Sequence, residues 1–312
     1  MNPRGSKIVV AGVASLGVSV PTGGFPLTDG PTRFPDWMEV GVTGVGANVA
    51  QALRRLGDEV ELCTIIGADL AGELVRTELR ARGLLGMGAI TGPGSSLAVS
   101  LVAEDGRRAG HSLLRHVNAV DYPVELFGRL SAEADLAVLT TASFARPLIE
   151  PATDLDMPIA VDVHLISDVH EEERRPWLAA ADILFCSHER LPCSAEEWIA
   201  QVFAAYPGCL IAAVGCGADG AVLGVRDGSL VRARTAPPRP LQSTVGAGDT
   251  LFASFLHGWL AGGHPADALG QAVLHASWKI GAGFPGAGHL TQDELRSLAD
   301  RHPLQVEVGR WS

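Results

Sequence analysis

The sequence predicts an α/β fold with a mostly parallel sheet covered by helices on both faces. Short apolar runs typical of buried strands alternate with longer segments of helical periodicity along most of the 312 residues. Parallel strands need crossover helices, and this rhythm supplies them. Because the chain contains no internal repeat and no low-complexity linker, we expect one domain spanning 1–312.

The first half of the chain shows the alternation most clearly. Strands and helices are expected in turn at KIVVAG, GANVAQALRRLG, EVELCTIIG, DLAGELVRTELRARG, DLAVLT, MPIAVDV and DILFCS. Two segments, near 14–40 and 97–118, break the rhythm. The second has the pattern of a hairpin that turns at Glu104-Asp105-Gly106-Arg107, so the two segments together predict a small β appendage.

The second half predicts a buried strand, a hairpin and a group of helices. The hairpin is expected to turn at Arg226-Asp227-Gly228-Ser229. Three helices, at about 247–261, 265–281 and 291–301, are expected to close the chain. The last of them begins with a capping signal, Thr291 followed by Glu294.

Composition excludes several classes of protein. A formal net charge of −11 and a pI near 5.3 argue against nucleic-acid and anionic-membrane partners, which require a cationic face. Five cysteines without a CxxC pair predict reduced thiols. No stretch has transmembrane length, and the apolar N-terminal run resembles a first strand more than a signal peptide, so we expect a cytoplasmic protein.

The segment STVGAGDT, residues 243–250, is where the chemistry is expected. Gly246, Ala247 and Gly248 carry almost no side chain, so at a helix start their N–H groups can bind phosphate and stabilise charge on a transferring phosphoryl group. Asp249 follows in the first turn, where a carboxylate can take a proton from a hydroxyl. The alternative is an ordinary acid that stabilises a helix start.

This segment resembles the C-terminal signature of the PfkB family of carbohydrate kinases, usually written DTxGAGD. Three further elements are similar to family motifs and follow in family order: TGVGANVAQALRRLG (43–57), GADLAG (67–72) and AVGCGADG (213–220). The resemblance implies a three-layer α/β/α ribokinase-like fold with a small β lid, formed by 14–40 and 97–118. It also implies ATP-dependent transfer of the γ-phosphate to a hydroxyl of a sugar-like acceptor.

The same resemblance implies roles for individual residues. Asp249 would be the general base, and Gly246, Ala247 and Gly248 would form the anion hole. The acceptor would be contacted by Gly44, Gly46, Asn48 and His164. The nucleotide would be contacted by Ser187, Gly215, Gly217 and Gly220, and Mg²⁺ would be contacted by Glu189. K⁺ is a further candidate, bound near GAGFPGAGH. For Asn48 a helix cap is the alternative, and for Glu189 an exposed residue at a helix start.

The chain departs from the family pattern around the acceptor. Gly17 stands where many members have an Asp, Val45 stands where ribokinase-like sequences have a Lys, and Thr43 replaces a glycine. A site without that acid and that lysine should not recognise unmodified ribose as ribokinase does. Asp162, His164, Asp168 and His170 alternate like metal ligands, but we favour an acceptor contact for His164 and a solvated loop for Asp168.

Three other functions compete with a sugar kinase. A nucleoside kinase uses the same fold, but with aromatic residues at 5% few stacking groups are available. A dehydrogenase is suggested because Gly215, Gly217 and Gly220 satisfy GxGxxG, yet a hairpin is predicted after them where a dinucleotide site needs a helix. A binding protein without catalysis conflicts with Asp249. In many relatives the lids of two subunits pair, so a homodimer through the lid is a further expectation.

Overall fold

A computed structural model of the chain describes residues 5–27, 29–104 and 107–311. The strands are β1 Lys7–Ala11, β2 Ser15–Thr22, β3 Glu39–Thr43, β4 Glu59–Gly67, β5 Ala89–Gly92, β6 Ser96–Ala103, β7 Arg108–Leu113, β8 Leu136–Leu139, β9 Ile159–Leu165, β10 Ile183–Ser187, β11 Ile211–Gly215, β12 Ala221–Val225, β13 Ser229–Arg234 and β14 Gln305–Arg310. The helices are α1 Val45–Leu56, α2 Leu70–Ala81, α3 Arg115–Asn118, α4 Val124–Ser131, α5 Ile149–Asp154, α6 Arg175–Ala180, α7 Ala195–Ala205, α8 Ala247–Leu260, α9 Pro265–Lys279 and α10 Gln292–Ala299. Short 3₁₀ helices lie at Ser143–Leu148, His188–Arg190 and Gly217–Asp219.

Ten strands form the central sheet in the order β14-β13-β12-β11-β10-β9-β8-β1-β4-β5. The pairings from β5 through to β11 are parallel, and the last three, from β11 to β14, are antiparallel. The mostly parallel sheet predicted from the sequence is therefore confirmed. Its parallel strands all end at one edge, which is where ligands bind in folds of this kind.

Both faces of the sheet are covered, as expected for apolar strands that are buried on both sides. Ile8 and Val10 on β1 belong to a core cluster with residues of α1, α8 and α9. Their neighbours Val9 and Ala11 point the other way, into a second cluster with residues of α4, α6 and α7. Alternate side chains of one strand thus pack against helices on opposite faces of the sheet, which gives the three-layer α/β/α arrangement.

A second sheet of four strands, β3-β2-β6-β7, forms from the two segments that break the sequence rhythm. Strands β6 and β7 pair antiparallel, with Leu97 opposite Leu113 and Val102 opposite Arg108, so the predicted hairpin is confirmed. Two residues of its turn, Asp105 and Gly106, lie outside the described residues. Strand β2 pairs with β6 in parallel and with β3 antiparallel, which ties the two segments into one sheet.

The prediction that three helices close the chain was wrong at its last step. The three helices are present, and α10 begins with the predicted capping box of Thr291 and Glu294. They are followed, however, by β14, which pairs antiparallel with β13. Every residue of β14 is exposed, so the strand is held through its backbone at a sheet edge and shows no buried face in its sequence.

Two smaller expectations can be compared with the structure directly. All five cysteines are free thiols, as predicted. Among the residues that the structure describes, no helix combines the length and the apolar character needed to cross a lipid bilayer.

Candidate active site

A cavity of about 510 Å³ lies between the ends of the parallel strands and the four-stranded sheet. Its volume falls in the range of about 300–1,000 Å³ that is typical of small-molecule sites. Hydroxyl side chains dominate its polar lining: Ser15, Thr43, Ser100, Ser112, Thr140, Thr141 and Ser143. Of the sequence-predicted residues, Gly44, Asn48, His164 and Asp249 line it.

Asp249 lies in the first turn of α8 and is 8% exposed. The side-chain amide of Asn48 donates a hydrogen bond of 2.7 Å to Oδ2 of this carboxylate. Burial raises the pKa of Asp249 above its ordinary value, while the nearby His164 and the hydrogen bond from Asn48 oppose that rise. The carboxylate is thus held in one orientation, with a higher proton affinity than an exposed aspartate would have.

The residues just before Asp249 form an open helix start. Gly246 caps α8 with φ of 81°, a left-handed conformation that suits glycine. The N–H of Ala247 donates to the carbonyl of Thr244 at 3.2 Å. Within the described residues no acceptor takes up the N–H of Gly248, and a Cβ placed on Gly248 would meet nothing within 4 Å. The amide of Gly248 is therefore free to bind an anion.

The start of α1 presents Asn48 to the same cavity. Gly44 caps this helix with φ of 98°, and no side chain caps it, so the alternative role of Asn48 as a helix cap is wrong. Oδ1 of Asn48 is buried and has no partner among the described residues. The Oγ1 atom of Thr140, which also lines the cavity, is likewise buried and has no partner among the described residues. Buried polar atoms without partners are costly, so both are available to an acceptor hydroxyl.

Gly46 does not line the cavity, contrary to the prediction of an acceptor contact. A Cβ at Gly46 would lie 2.4 Å from the backbone carbon of Gly12. The glycine is needed because α1 packs directly against the loop that follows β1. Gly46 therefore affects the site indirectly, because this close approach of α1 sets the position of Asn48.

His164 lies near the end of β9, beside Asp249. The φ of His164 is 58°, in the left-handed region. Its backbone N–H donates a hydrogen bond of 2.8 Å to Oδ1 of Asp162, and its ring Nδ1 lies 3.5 Å from Oδ2 of the same aspartate. Asp162, His164 and Asp249 bring their ligand-type atoms within 4.8 Å of one another. Asp168 and His170 are not part of this group, and the backbone N–H of His170 instead donates to Asp168 in a local turn.

The departures at Gly17 and Thr43 are structurally linked. A Cβ on Gly17 would lie 2.4 Å from Cγ2 of Thr43 on the neighbouring strand. An aspartate at position 17 would therefore clash with the threonine, so the two changes suit one another. Gly17 also lies opposite Ala98 on β6, and Ala98 lies opposite Ser112 on β7, so this part of the small sheet carries only small side chains.

The predicted nucleotide residues lie together at the same edge of the central sheet, outside the acceptor cavity. Ser187 ends β10, and Gly215 lies opposite it at the end of β11. Gly217 and Gly220 follow with φ of 60° and 84°, and the next element is β12. A strand where the dinucleotide fingerprint needs a helix removes the basis for a dehydrogenase.

Arg108, at the start of β7, links the small sheet to the predicted phosphate region. Its Nη1 donates to Oγ1 of Thr244 at 2.7 Å, and its Nη2 lies 3.5 Å from Oε1 of Glu189. Arg108 also lines the acceptor cavity. Glu189 is exposed and lies apart from the Asp162, His164 and Asp249 group.

Sequence reasoning missed most of the hydroxyl lining and one buried cation. Thr140 and Thr141 follow β8 and carry no local signal, because only the sheet order brings them to the same cavity as Asn48. Lys279 did give a signal, since it is one of only two lysines in the chain, the other being Lys7. A lysine near the end of a helix is typical of an ordinary C-terminal charge, so the sequence alone does not indicate that Lys279 is buried.

The chain has clear relatives. A profile described as "pfkB family carbohydrate kinase" matches residues 9–122 and 151–288. The acarbose 7(IV)-phosphotransferase of Actinoplanes sp. is 30% identical over 220 residues, which cover 70% of this chain and 73% of that protein. An ATP-dependent ribose-1-phosphate kinase of Halopiger xanaduensis is 28% identical over 289 residues, covering 90% of this chain and 93% of that protein.

Solved structures support the same assignment of the fold. The ribokinase of Arabidopsis thaliana, solved with ribose and ATP, superposes with a TM-score of 0.77 at 20% identity, over 94% of this chain and 98% of that one. The ribokinase-like fold predicted from the motifs is thereby confirmed. Together with the profile match and the relatives, this shows that the chain belongs to the pfkB family of carbohydrate kinases and is a phosphotransferase with a hydroxyl group as acceptor.

Proposed function

We propose that this kinase transfers the γ-phosphate of ATP to a hydroxyl of a sugar or sugar derivative, with Asp249 as the general base. The observation that carries the proposal is the position of Asp249: buried, oriented by Asn48, and next to the open amide of Gly248 on a cavity rich in hydroxyl groups. An acceptor hydroxyl in that cavity can meet the carboxylate and the bound phosphoryl group at once.

The proton transfer follows from the surroundings of Asp249. A carboxylate with a raised pKa is a stronger base than an exposed one, and the amide of Asn48 keeps it ionised and aimed. Asp249 accepts the proton of the acceptor hydroxyl as that oxygen attacks. The N–H of Gly248 and the positive end of α8 stabilise the negative charge on the phosphoryl oxygens.

Bound ATP with Mg²⁺ supplies the transferable phosphoryl group, and the residues at the sheet edge suit it. Ser187, Gly215, Gly217 and Gly220 offer a strip with little side-chain bulk, against which a nucleotide can lie. Glu189 is exposed and can hold a hydrated Mg²⁺, an ion that usually keeps several waters and takes few protein ligands. Arg108 would release Glu189 and turn to the phosphates.

A sugar fits the cavity better than a nucleoside. No phenylalanine, tyrosine or tryptophan of the described residues lines it, so stacking groups for a base are missing from its wall. The free Oδ1 of Asn48 and the hydroxyl of Thr140 instead suit hydroxyl groups of the acceptor. Free ribose should be a poor acceptor, because the acid and the lysine missing at Gly17 and Val45 remove charged hydrogen bonds worth roughly 1.5–3 kcal/mol each.

We further propose that the chain works as one kinase domain whose small sheet, from 14–40 and 97–118, acts as a lid. Arg108 gives the lid a direct contact with the phosphate region. The outer face of the same sheet exposes Val40, Leu97, Val99 and Leu113. Exposed apolar side chains in one patch favour pairing of two lids in a homodimer.

The proposal is tested by measuring ADP release with ATP and Mg²⁺ over a panel of acceptors. The panel contains acarbose and ribose 1-phosphate, after the relatives, together with free sugars, aldonates, sugar phosphates and nucleosides. We expect a sugar or sugar derivative to turn over fastest, with ribose well below it. A nucleoside as the best acceptor would establish the alternative, and no stimulation by any acceptor would contradict the proposed function.

A further inference from the structure

Lys279 is a fully buried cation behind the predicted anion hole. It is the last residue of α9, and its exposed fraction is 0%. The only other lysine, Lys7, lies at the surface in an ion pair with Glu133. Apart from these two lysines and the histidines, all basic side chains of the chain are arginine. Lys279 therefore puts a compact ammonium group, and not a guanidinium, in the interior.

The ammonium of Lys279 is held by backbone carbonyl groups. Its Nζ donates to the carbonyl oxygen of Phe284 at 3.0 Å and to that of Val245 at 3.3 Å. No carboxylate of the described residues lies within ion-pair distance of it. Carbonyl oxygens that converge in this way are the ligands that proteins use for alkali cations.

The two carbonyl groups come from the two loops that shape the start of α8. Val245 directly precedes the capping Gly246, and Phe284 precedes Pro285, whose carbonyl would lie 2.9 Å from a Cβ on Gly246. The N–H groups of Gln242 and Ser243 donate to the carbonyl of Ile280, at 2.8 and 3.0 Å. The ammonium therefore joins loop 242–246 to loop 280–288 just below the amides that are expected to bind phosphate.

The sequence made K⁺ a candidate ligand of loop 280–288, but the residues present there do not fit a bound K⁺ ion. A metal ion between the loops would need the carbonyl oxygens of Val245 and Phe284, which already bind the ammonium. It would also lie next to a positive charge in a site that excludes water, where like charges repel strongly. Burial lowers the pKa of Lys279 to about 8, so the side chain is mainly protonated at neutral pH.

We infer that Lys279 is a built-in monovalent cation that replaces K⁺ between loops 242–246 and 280–288 and holds the start of α8 in its phosphate-binding conformation. The enzyme is then independent of K⁺. The effect on phosphoryl transfer rests on the function proposed above. Lys279 acts through the loops as a positioning residue, since it does not line the acceptor cavity.

The first test compares the unchanged enzyme with Lys279→Ala, and with Lys7→Ala as the matched control. Each is assayed for kcat and for KM of ATP in potassium, sodium and choline chloride at equal ionic strength. The unchanged enzyme and the control should differ less than about twofold between salts. Lys279→Ala should lose about 10- to 100-fold in choline, below the ~10²–10³-fold cost of removing a whole oxyanion-hole donor. K⁺, ammonium or ethylammonium should restore part of that loss.

A second test does not depend on catalysis. With lysine labelled at Cε, the protein has two side-chain NMR signals, and the signal that Lys279→Ala removes should keep its position when K⁺ replaces choline. The melting temperature of the unchanged enzyme should likewise be the same in both salts, while that of Lys279→Ala should rise selectively in K⁺. These measurements remain decisive if no acceptor is found and the proposed function fails.

Two results would overturn the inference. The first is activation or thermal stabilisation of the unchanged enzyme by K⁺ alone, which would mean that a separate cation site exists. The second is a Lys279→Ala variant with unchanged kinetics in choline. If that variant does not fold, Lys279→Met, which keeps the apolar stem without the charge, replaces it in both tests. If neither folds, the salt response of the unchanged enzyme decides.

Discussion

The amide of Asn48 and the carboxylate of Asp249 join the first turns of α1 and α8 by a hydrogen bond of 2.7 Å across 201 residues of sequence. Each side chain is buried, so each depends on the other to satisfy its polar atoms. The pair connects the wall of the acceptor cavity to the group that is expected to remove the acceptor proton.

The Asp249→Asn variant should lose catalysis while it keeps its nucleotide affinity. The change preserves size but removes the base, and a positioned general base typically contributes about 10²–10⁴-fold to the rate. We expect kcat to fall within that range, with the Kd for ATP nearly unchanged. Turnover within a few-fold of normal would instead mean that Asp249 only stabilises the helix start, an effect of about 0.3–1 kcal/mol.

The Asn48→Ala variant should shift the pH dependence of the reaction. The amide of Asn48 favours the ionised form of Asp249, so its loss raises the pKa of the carboxyl further. Activity is then lost at a higher pH on the acid side of the kcat/KM profile. Asn48→Asp, of nearly the same size, should shift the acid side still further because a like charge is added. If both variants have the same pH profile as the unchanged enzyme, Asn48 does not influence the protonation of the group that controls the acid side of the reaction.

Substitutions of His164 by glycine and by alanine should differ in their effect on the melting temperature but have similar effects on the KM for the acceptor. Its φ of 58° strains any residue with a Cβ, by roughly 1–2 kcal/mol. We expect His164→Gly to melt at a higher temperature than His164→Ala, although both lack the imidazole. Both should have a raised KM for the acceptor if the ring touches it. An unchanged KM in both variants would remove His164 from the acceptor site.

Arg108→Gln should slow phosphoryl transfer through the loss of the contacts that the guanidinium makes with Thr244 and Glu189. Hydrogen bonds to charged groups contribute about 1.5–3 kcal/mol, which corresponds to roughly a 10- to 100-fold loss in kcat/KM. Arg129→Gln, an exposed arginine on α4, is the matched control and should be neutral. Equal effects of the two substitutions would show that overall charge, and not the position of Arg108, matters.

The buried His275 should make the protein sensitive to acid. Its Nε2 accepts from the N–H of Leu290 at 2.9 Å, so its Nδ1–H donates to Ser254, also at 2.9 Å, and the ring is neutral. Burial lowers its pKa to about 3, against about 6.5 when unfolded. The unfolded chain therefore binds this proton first, and stability present above pH 6.5 is lost as pH falls towards 3.

Denaturant unfolding at several pH values measures that loss. One proton contributes a slope of about 1.4 kcal/mol per pH unit between these limits. Desolvation of the ring also lowers the pKa of the half-buried His289 strongly, which steepens the slope. His275→Gln should remove one proton from the slope, whereas His170→Gln, at an exposed position, should leave it unchanged. A slope that is unaffected by His275→Gln would mean that the ring is charged in the folded protein.

The sequence was informative where local patterns decide the structure. The buried strands and amphipathic helices follow from periodicity, and the helix start at Gly246 follows from glycines before an acid. Strand β14 could not be recognised, because it is exposed along its whole length and its pairing with β13 gives it no buried apolar face. The grouping of Asp162, His164 and Asp249 depends on the order of strands in the sheet, about which a single sequence says little.

The order of the central sheet bears on how the chain can be built during translation. From β8 onward each new strand of this sheet adds beside the one made before it, up to β14. The nascent chain therefore always exposes an edge that the next strand can occupy, so assembly needs little rearrangement of finished parts. Asp249 leaves the ribosome only after β13 has been made, so it is the last residue of the acceptor cavity to be synthesised, on a scaffold for which β1 to β13 are already present.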